Sequence, residues 1–143
     1  MACGEVEPRA TSAPGFFPEA QGGELMADHG IFIGWGEVIA GRERQAEKVF
    51  GEAIAYFTGL QEKGTIESFE PVFLRPHGGD LSGCMLVRGD RDAMHEVLHS
   101  PEWERLSART TAIVHGFGVV PASLGAETMR LVQANAGYTS DLT

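Results

Sequence analysis

The residues best suited to chemistry form the stretch His95-Glu96-Val97-Leu98-His99, which matches the pattern H-E-x-x-H. In zinc peptidases, two histidines one helical turn apart hold the metal, and the glutamate between them activates water. Here Ser100-Pro101 follows at once and interrupts the helix that would keep both ligands rigid. His95 and His99 are therefore weak candidate metal ligands, and the alternative is that they are polar residues on the outer side of a helix.

A second candidate site lies on residues 31–39, whose aromatic and β-branched composition is typical of a strand. Side chains alternate between the two faces of a strand, so Trp35 and Glu37 share one face. If Gly34 and Gly36 face the helices, Trp35 and Glu37 face away from them, towards an enclosed space. There the indole would offer apolar contact, and Glu37 is a weak candidate acid or base. The alternative is that Glu37 is solvated at the strand end.

Residues of two further predicted strands extend this ligand-binding set. Phe69 and Phe73 share one face of the second strand by parity, and Cys84 and Arg88 share one face of the third. His77 lies in a glycine-rich turn, where it is free to act at the mouth of a pocket, and the alternative is that it is only a turn residue. An apolar pocket with a few polar groups is the usual composition of a small-molecule site. The same side chains are equally typical of the core of a dimer.

The elements that must position these residues follow the order strand, helix, strand, hairpin, strand, helix, strand. The clearest is a helix between Gly41 and Gly64, in which apolar residues recur at i, i+3, i+4 and i+7. Ser100 and Pro101 start another helix as cap and first residue. Strands are predicted at residues 31–39, 66–75, 81–88 and 117–121, and further helices at 91–99 and 127–134.

This order predicts an α+β protein with the ferredoxin-like βαββαβ topology, a four-stranded antiparallel sheet with its helices on one face. The first and third strands should be central, and the second, which contains Pro71, should lie at an edge. The domain should span residues 30–125, between a flexible tail at 1–29 and a short helix and tail at 126–143. Because strands one and three are apolar on both sides, a second copy of the chain should cover the open face.

Composition excludes several classes of partner. The net charge of −9 disfavours nucleic acid, whose binding depends on Lys and Arg neutralising phosphates. No apolar run is long enough for a membrane span, and no secretory signal begins the chain, so a cytoplasmic location is expected. Gly34-Trp35-Gly36 lies within a strand and does not form a dinucleotide-binding loop. No cofactor is predicted.

The sequence resembles the dimeric α+β barrel superfamily over roughly residues 31–125. The resemblance rests on the element order, the long first helix, and the stretches Leu86-Val87-Arg88-Gly89-Asp90, Ser100-Pro101-Glu102-Trp103 and Gly118-Val119-Val120. Members of the superfamily pack two ferredoxin-like sheets face to face. They include cofactor-free quinone-forming monooxygenases, muconolactone isomerases, haem-degrading oxygenases, chlorite dismutases and stress-response barrels of unknown activity.

Three functions follow as hypotheses. The first is a homodimer that binds a small apolar or aromatic molecule, as a cofactor-independent oxygenase-like or isomerase-like enzyme. The second is a non-catalytic ligand-sensing or structural dimeric module. The third is a zinc hydrolase acting through His95, Glu96 and His99. Fold alone does not decide among them.

Overall fold

The computed structural model describes residues 27–142, and the tail predicted at residues 1–29 lies almost wholly outside this range. The chain divides into two compact units, residues 29–122 and residues 123–142 with the segment up to Asp28. The elements in chain order are β1 His29–Trp35, α1 Glu43–Glu62, β2 Ser68–Phe73, β3 Gly83–Gly89, α2 Arg91–Leu98, α3 Pro101–Thr111, β4 Gly118–Ser123 and α4 Gly125–Tyr138, followed by a 3₁₀ turn at Ser140–Leu142.

The four strands form one sheet in the order β2-β3-β1-β4. β3 pairs antiparallel with both of its neighbours. Met85 of β3 lies opposite Ile33 of β1 on one side and opposite Pro71 of β2 on the other. The central positions of β1 and β3 and the edge position of the proline-containing β2 are confirmed. The architecture is the ferredoxin-like α+β fold that the element order predicts.

The first strand is shorter than its sequence suggests. β1 ends at Trp35, and the next residues leave the sheet to pair with the segment after α3, through a bridge between Val38 and Val114. The Gly36 N–H donates to the carbonyl of His115 at 2.7 Å, and a Cβ on Gly36 would lie 2.9 Å from that oxygen. A residue without a side chain is therefore required where the chain turns away.

Helix α1 buries Val49 and Phe57 on the face that its periodicity predicts. The Asp90 side chain caps α2 by accepting from the Asp92 N–H, and the Ser100 side chain caps α3 by accepting from the Trp103 N–H. These caps separate α2 from α3 at the position where Ser100 and Pro101 predict a restart. Within the described range, no helix is long and apolar enough to cross a membrane.

All three helices of the larger unit pack on one face of the sheet. The core combines side chains of β1 and β3 with side chains of the helices: Ile31, Ile33, Met85, Val87, Val49, Phe57, Met94, Val97, Trp103 and Leu106. By strand alternation the other face carries the apolar residues Phe32, Val72, Leu86 and Val120 with Cys84, and the polar residues Ser68, Glu70 and Arg88. Val120 is 52% exposed.

The smaller unit consists mainly of helix α4. The Leu124 N–H donates to the Asp28 carbonyl, and the Thr128 hydroxyl donates to the Ser123 carbonyl in the first turn. Arg130 forms an ion pair with Glu127 one turn earlier. No residue of α4 is buried.

Candidate functional site

A cavity of about 350 Å³ lies between the sheet and helices α1 and α3. β1 contributes Ile33 and Trp35, and α3 contributes Trp103 and Leu106. The walls are almost entirely apolar. The volume falls within the range of cavities that hold small molecules.

Three aromatic rings line one side of the cavity and bring three elements together. The ring of Phe73, at the end of β2, has its centroid 6.1 Å from that of Trp35 in β1 and 5.2 Å from that of Phe50 in α1. Phe73 is 65% exposed, although it contacts both other rings. It therefore lies where the cavity meets solvent, and we call Trp35, Phe50 and Phe73 the aromatic mouth.

Deeper in the cavity, a second group of rings belongs to the core. Phe57 of α1 lies against Trp103 of α3, with ring centroids 6.1 Å apart. Trp103 in turn lies 6.5 Å from Phe117, just before β4. Both Phe57 and Trp103 are buried, at 1% and 7% exposure. These buried residues form the inner wall of the cavity, and the aromatic mouth is its more exposed side.

The position of the Trp35 indole depends on a glycine in the neighbouring strand. Gly83 lies opposite Trp35 in the ladder, and a Cβ on Gly83 would be 2.6 Å from Cζ2 of the indole. The ring thus lies over backbone that has no side chain. Among the residues the structure describes, the Trp35 Nε1–H has no hydrogen-bond acceptor. A ligand in the cavity could provide one.

The polar groups of the cavity wall are few. Glu43 and Glu47 of α1 and Thr110 of α3 line it, and both glutamates are exposed. The Thr110 hydroxyl already donates to the Leu106 carbonyl, so it offers a ligand only acceptor capacity. The Glu43 carboxylate accepts a 3.3 Å hydrogen bond from the Gly41 N–H. Within the described part of the chain Glu47 has no hydrogen-bond or ion-pair partner.

The predicted orientation of Trp35 is wrong. The indole faces α1 and lines the cavity with Phe50, on the same side of the sheet as Ile33 and Met85. The prediction assumed that the glycines of this strand approach the long helix. Instead a Cβ on Gly34 would meet the side chains of Leu81 and Phe32 on the other face.

Glu37 does not join Trp35 in the cavity. It follows the end of β1, is exposed, and lines a second groove with Asp80 and His115, to which Trp35 also contributes. The Glu37 carbonyl accepts from the His115 N–H at 2.9 Å, which fixes the backbone and leaves the side chain in solvent. Glu37 therefore lies at the end of the strand with its side chain in solvent, which was the alternative to a position inside the pocket.

The other residues of the predicted ligand-binding set are divided between the two faces. Phe69 and Phe73 share one face, as parity predicts, with Phe69 lying 5.8 Å from Phe57 between ring centroids. Cys84 and Arg88 also share a face, but it is the open face of the sheet, opposite the cavity. The structure thus brings Trp35 and Phe73 together and separates them from Cys84 and Arg88.

His77 takes part in the structure of its loop. The Gly79 N–H donates to Nδ1 of the ring, so the proton is on Nε2, which donates to the Leu81 carbonyl at 2.9 Å. Both ring nitrogens are therefore occupied within the loop between β2 and β3.

His95 and His99 lie on one exposed side of the α2 region, with ring centroids 4.3 Å apart. Nδ1 of His99 hydrogen-bonds to the His95 carbonyl, and α2 ends at Leu98. No group of three His, Cys, Asp or Glu residues in the described range is arranged to hold a metal ion. The described residues therefore supply no third ligand for a zinc ion bound by His95 and His99.

Sequence reasoning missed the contribution of α1 to the site. Phe50, Glu43 and Glu47 line the cavity, but no residue of this helix was among the predicted site residues. The available signal was that Phe50 lies at the side of the stripe, next to charged positions. A large aromatic residue at such a boundary is suited to the edge of a cavity.

An ion pair holds the two cavity-forming helices together. Nε and Nη2 of Arg109 in α3 each donate to one carboxylate oxygen of Glu52 in α1 at 2.8 Å. These hydrogen bonds hold the pKa of the Glu52 carboxyl below its usual value, and they raise the pKa of Arg109. The ion pair links α1 and α3 at a position where both side chains remain partly exposed.

Comparison with known proteins identifies the fold. Neither a protein-family model nor a protein of curated description matches the chain. Among solved structures, a dimeric ferredoxin-like protein of unknown function from Jannaschia sp. CCS1 is similar, with a TM-score of 0.53 and 17% identity over 67% of this chain and 99% of that one. A dimeric protein of unknown function and ferredoxin-like fold from Bacteroides fragilis NCTC 9343 matches with a TM-score of 0.50 and 11% identity, over 69% and 99% of the two chains.

A third similar structure has a named activity. It is SnoaB, a cofactor-independent oxygenase from Streptomyces nogalater, with a TM-score of 0.47 and 21% identity over 68% of this chain and 93% of that one. A likeness of this size supports no statement about activity. The comparisons show that this chain has a ferredoxin-like fold.

Proposed function

We propose that the protein is a homodimer that binds a small apolar or aromatic molecule in the cavity between its sheet and helices α1 and α3. The observation that carries the proposal is the cavity itself, about 350 Å³ of mostly apolar space that opens to solvent beside Phe73. Apolar walls offer water few hydrogen bonds. An apolar ligand that displaces this water removes apolar surface from solvent, which favours binding.

The lining supports an apolar or aromatic ligand. Rings in proteins pack edge to face or offset, and the aromatic mouth already has this arrangement between Trp35 and Phe73. A planar ligand between these rings and the inner wall would contact aromatic faces on two sides. The unpaired Nε1–H of Trp35 would orient an acceptor on that ligand.

Dimer formation is supported by the open face of the sheet. The half-buried Phe32, Val72 and Leu86 and the exposed Val120 form an apolar surface there, with Cys84 beside them and Glu70 opposite Leu86. A large contiguous apolar surface favours association, and a symmetric dimer covers the same surface on both copies. The similar solved structures from Jannaschia and Bacteroides are described as dimeric. We assign the open face to the partner copy and the cavity to the ligand.

Non-covalent binding is the function that the cavity wall favours. Among the described residues, the wall contains no Ser, Cys, His, Lys or Arg. Its charged groups are the carboxylates of Glu43 and Glu47. An oxygenase-like or isomerase-like reaction would therefore begin with proton transfer from the bound molecule to one of these glutamates, without a cofactor. Ligand sensing needs no such step.

A cavity-filling variant tests the proposal. Ala53 of α1 lines the cavity, whereas Ala55 lies on the exposed side of the same helix. Ala53→Phe should abolish binding of 2-naphthalenemethanol, measured by titration calorimetry, and Ala55→Phe should bind it as the wild type does. Equal binding by both variants, or no binding to the wild-type protein, would contradict the proposal.

A further inference from the structure

The polar part of the cavity wall is acidic. Glu43 and Glu47 lie one helical turn apart on α1 and both line the cavity. Within residues 27–142, no Lys, Arg or His takes part in the wall. Thr110 and Trp35 complete the polar groups, and neither is charged.

These carboxylates are available to a ligand. Glu47 has no partner among the described residues, and Glu43 accepts a single long hydrogen bond, 3.3 Å, from the Gly41 N–H. By contrast Glu52, farther along the same helix, is fully engaged by Arg109. On this helix, Glu52 is paired with an arginine and does not line the cavity, whereas Glu43 and Glu47 line the cavity and have no ion-pair partner among the described residues.

Aromatic rings lie in the same wall as these carboxylates. Phe50 and Trp35 line the cavity together with Glu43 and Glu47, and Phe73 contacts both rings. The face of an aromatic ring attracts a cation, most strongly in Trp. A carboxylate beside such rings adds attraction of the same sign.

From this juxtaposition we propose that the cavity selects aromatic molecules that carry an amine. The ring system occupies the apolar interior, and the ammonium group lies between the aromatic mouth and the carboxylates of Glu43 and Glu47. This inference rests on the proposed binding function and adds the charge class of the ligand. Anionic aromatic acids are disfavoured, because no cation in the wall compensates their charge.

Three naphthalene probes of nearly equal shape separate charge from size. They are 2-naphthylmethylamine, which is protonated at neutral pH, 2-naphthalenemethanol, which is neutral, and 2-naphthoate, which is anionic. By calorimetry in low salt, the amine should bind about tenfold more tightly than the naphthoate, a ratio that two partly exposed charge pairs can supply. The alcohol should lie between them, and added salt should reduce the difference.

Variants assign the selectivity to the two glutamates. In the double variant E43Q/E47Q the ratio between amine and naphthoate should fall to about twofold or less. Glu62→Gln, on the exposed end of the same helix, is the control and should leave the ratio unchanged. A far-ultraviolet circular dichroism spectrum and a thermal unfolding midpoint equal to those of Glu62→Gln show that the double variant is folded.

The outcomes distinguish this inference from the function on which it rests. If all three probes bind with equal affinity, or the naphthoate binds best, the charge selectivity is overturned and the binding function stands. If none binds to the wild-type protein, the binding function itself falls. Selectivity for the amine that persists in E43Q/E47Q overturns the assignment to these glutamates.

Discussion

The indole of Trp35 and the ring of Phe73 meet nearly edge to face, with centroids 6.1 Å apart and planes inclined by 72°. They belong to strands that are not neighbours, because β3 lies between β1 and β2 in the sheet. The contact passes over Gly83, which lies opposite both residues in its two ladders and has no side chain to separate them. This glycine therefore determines the shape of the aromatic mouth.

Replacing Gly83 by Ala should disturb the site more than the fold. The added Cβ would lie 2.6 Å from Cζ2 of Trp35, so the indole must move. We expect a loss of stability of about 1–3 kcal/mol, the usual cost of overpacking, together with a changed near-ultraviolet circular dichroism spectrum and weaker binding of 2-naphthalenemethanol. An unaltered indole signal would show that the mouth does not depend on this contact.

A second glycine substitution is the matched control. Gly51 is exposed within α1, and a Cβ there would meet nothing within 4 Å. Gly51→Ala should stabilise the protein by about 0.5–1 kcal/mol, because alanine loses less backbone entropy in a helix than glycine does. Probe affinity should not change. Thermal unfolding measures the first effect and calorimetric titration the second.

Truncating Phe73 should affect binding with little effect on stability. The side chain is 65% exposed, so Phe73→Ala should change the free energy of unfolding by less than about 1 kcal/mol. Removing one of the three rings of the aromatic mouth should weaken the binding of 2-naphthalenemethanol roughly fivefold, the usual size of one aromatic contact. Leu74→Ala, at the next and partly exposed position, should leave the affinity unchanged. Equal losses in both variants would argue against a role for the ring.

The ion pair between Glu52 and Arg109 should make stability depend on acid pH. The pKa of Glu52 is lowered in the folded protein, mainly by its hydrogen bond to Arg109, so the unfolded state binds its proton more readily. The stabilisation is therefore fully present above the unfolded pKa of about 4.3 and is lost as the pH falls through the lower folded pKa.

The variant Glu52→Gln checks this dependence. It should be less stable than the wild type at pH 7, and the difference should shrink as the pH is lowered below about 4. Chemical unfolding at a series of pH values measures it. Glu62→Gln, whose position lacks such a partner in the described structure, should follow the wild-type profile. A difference between E52Q and the wild type that is independent of pH would mean that the carboxylate charge is not what matters.

Dimer formation should depend on the open face of the sheet. Leu86 lies at the centre of that face on β3, so Leu86→Glu would place a charge in the dimer interface, and the variant should be monomeric by light scattering at micromolar concentration. Ala55→Glu on the exposed side of α1 should remain dimeric. A wild-type protein that is itself monomeric would remove this part of the proposal.

The element order was predictable because each element has a strong local signal. The long amphipathic stripe marks α1, Ser100 and Pro101 mark the start of α3, and Pro71 marks an edge strand. These signals act over a few residues and do not depend on the rest of the chain. They were enough to place all four strands in the correct order in the sheet.

The orientation of the site was not predictable in the same way. The alternation of side chains along β1 correctly places Trp35 and Gly34 on opposite faces of the sheet. It does not say which of the two faces packs against the helices. Both faces of β1 are apolar, so the hydrophobic pattern leaves the choice open. What decides it is the close approach of the indole to Gly83 in β3, a contact between residues far apart in the sequence. Such contacts leave no local signal.

A crystal structure of the protein with 2-naphthalenemethanol tests the central claim most directly. We expect the naphthalene ring in the cavity between β1 and α1, in contact with Trp35 and Phe73. Electron density for the ring on the opposite face of the sheet, beside Cys84 and Arg88, with the cavity empty, would contradict it.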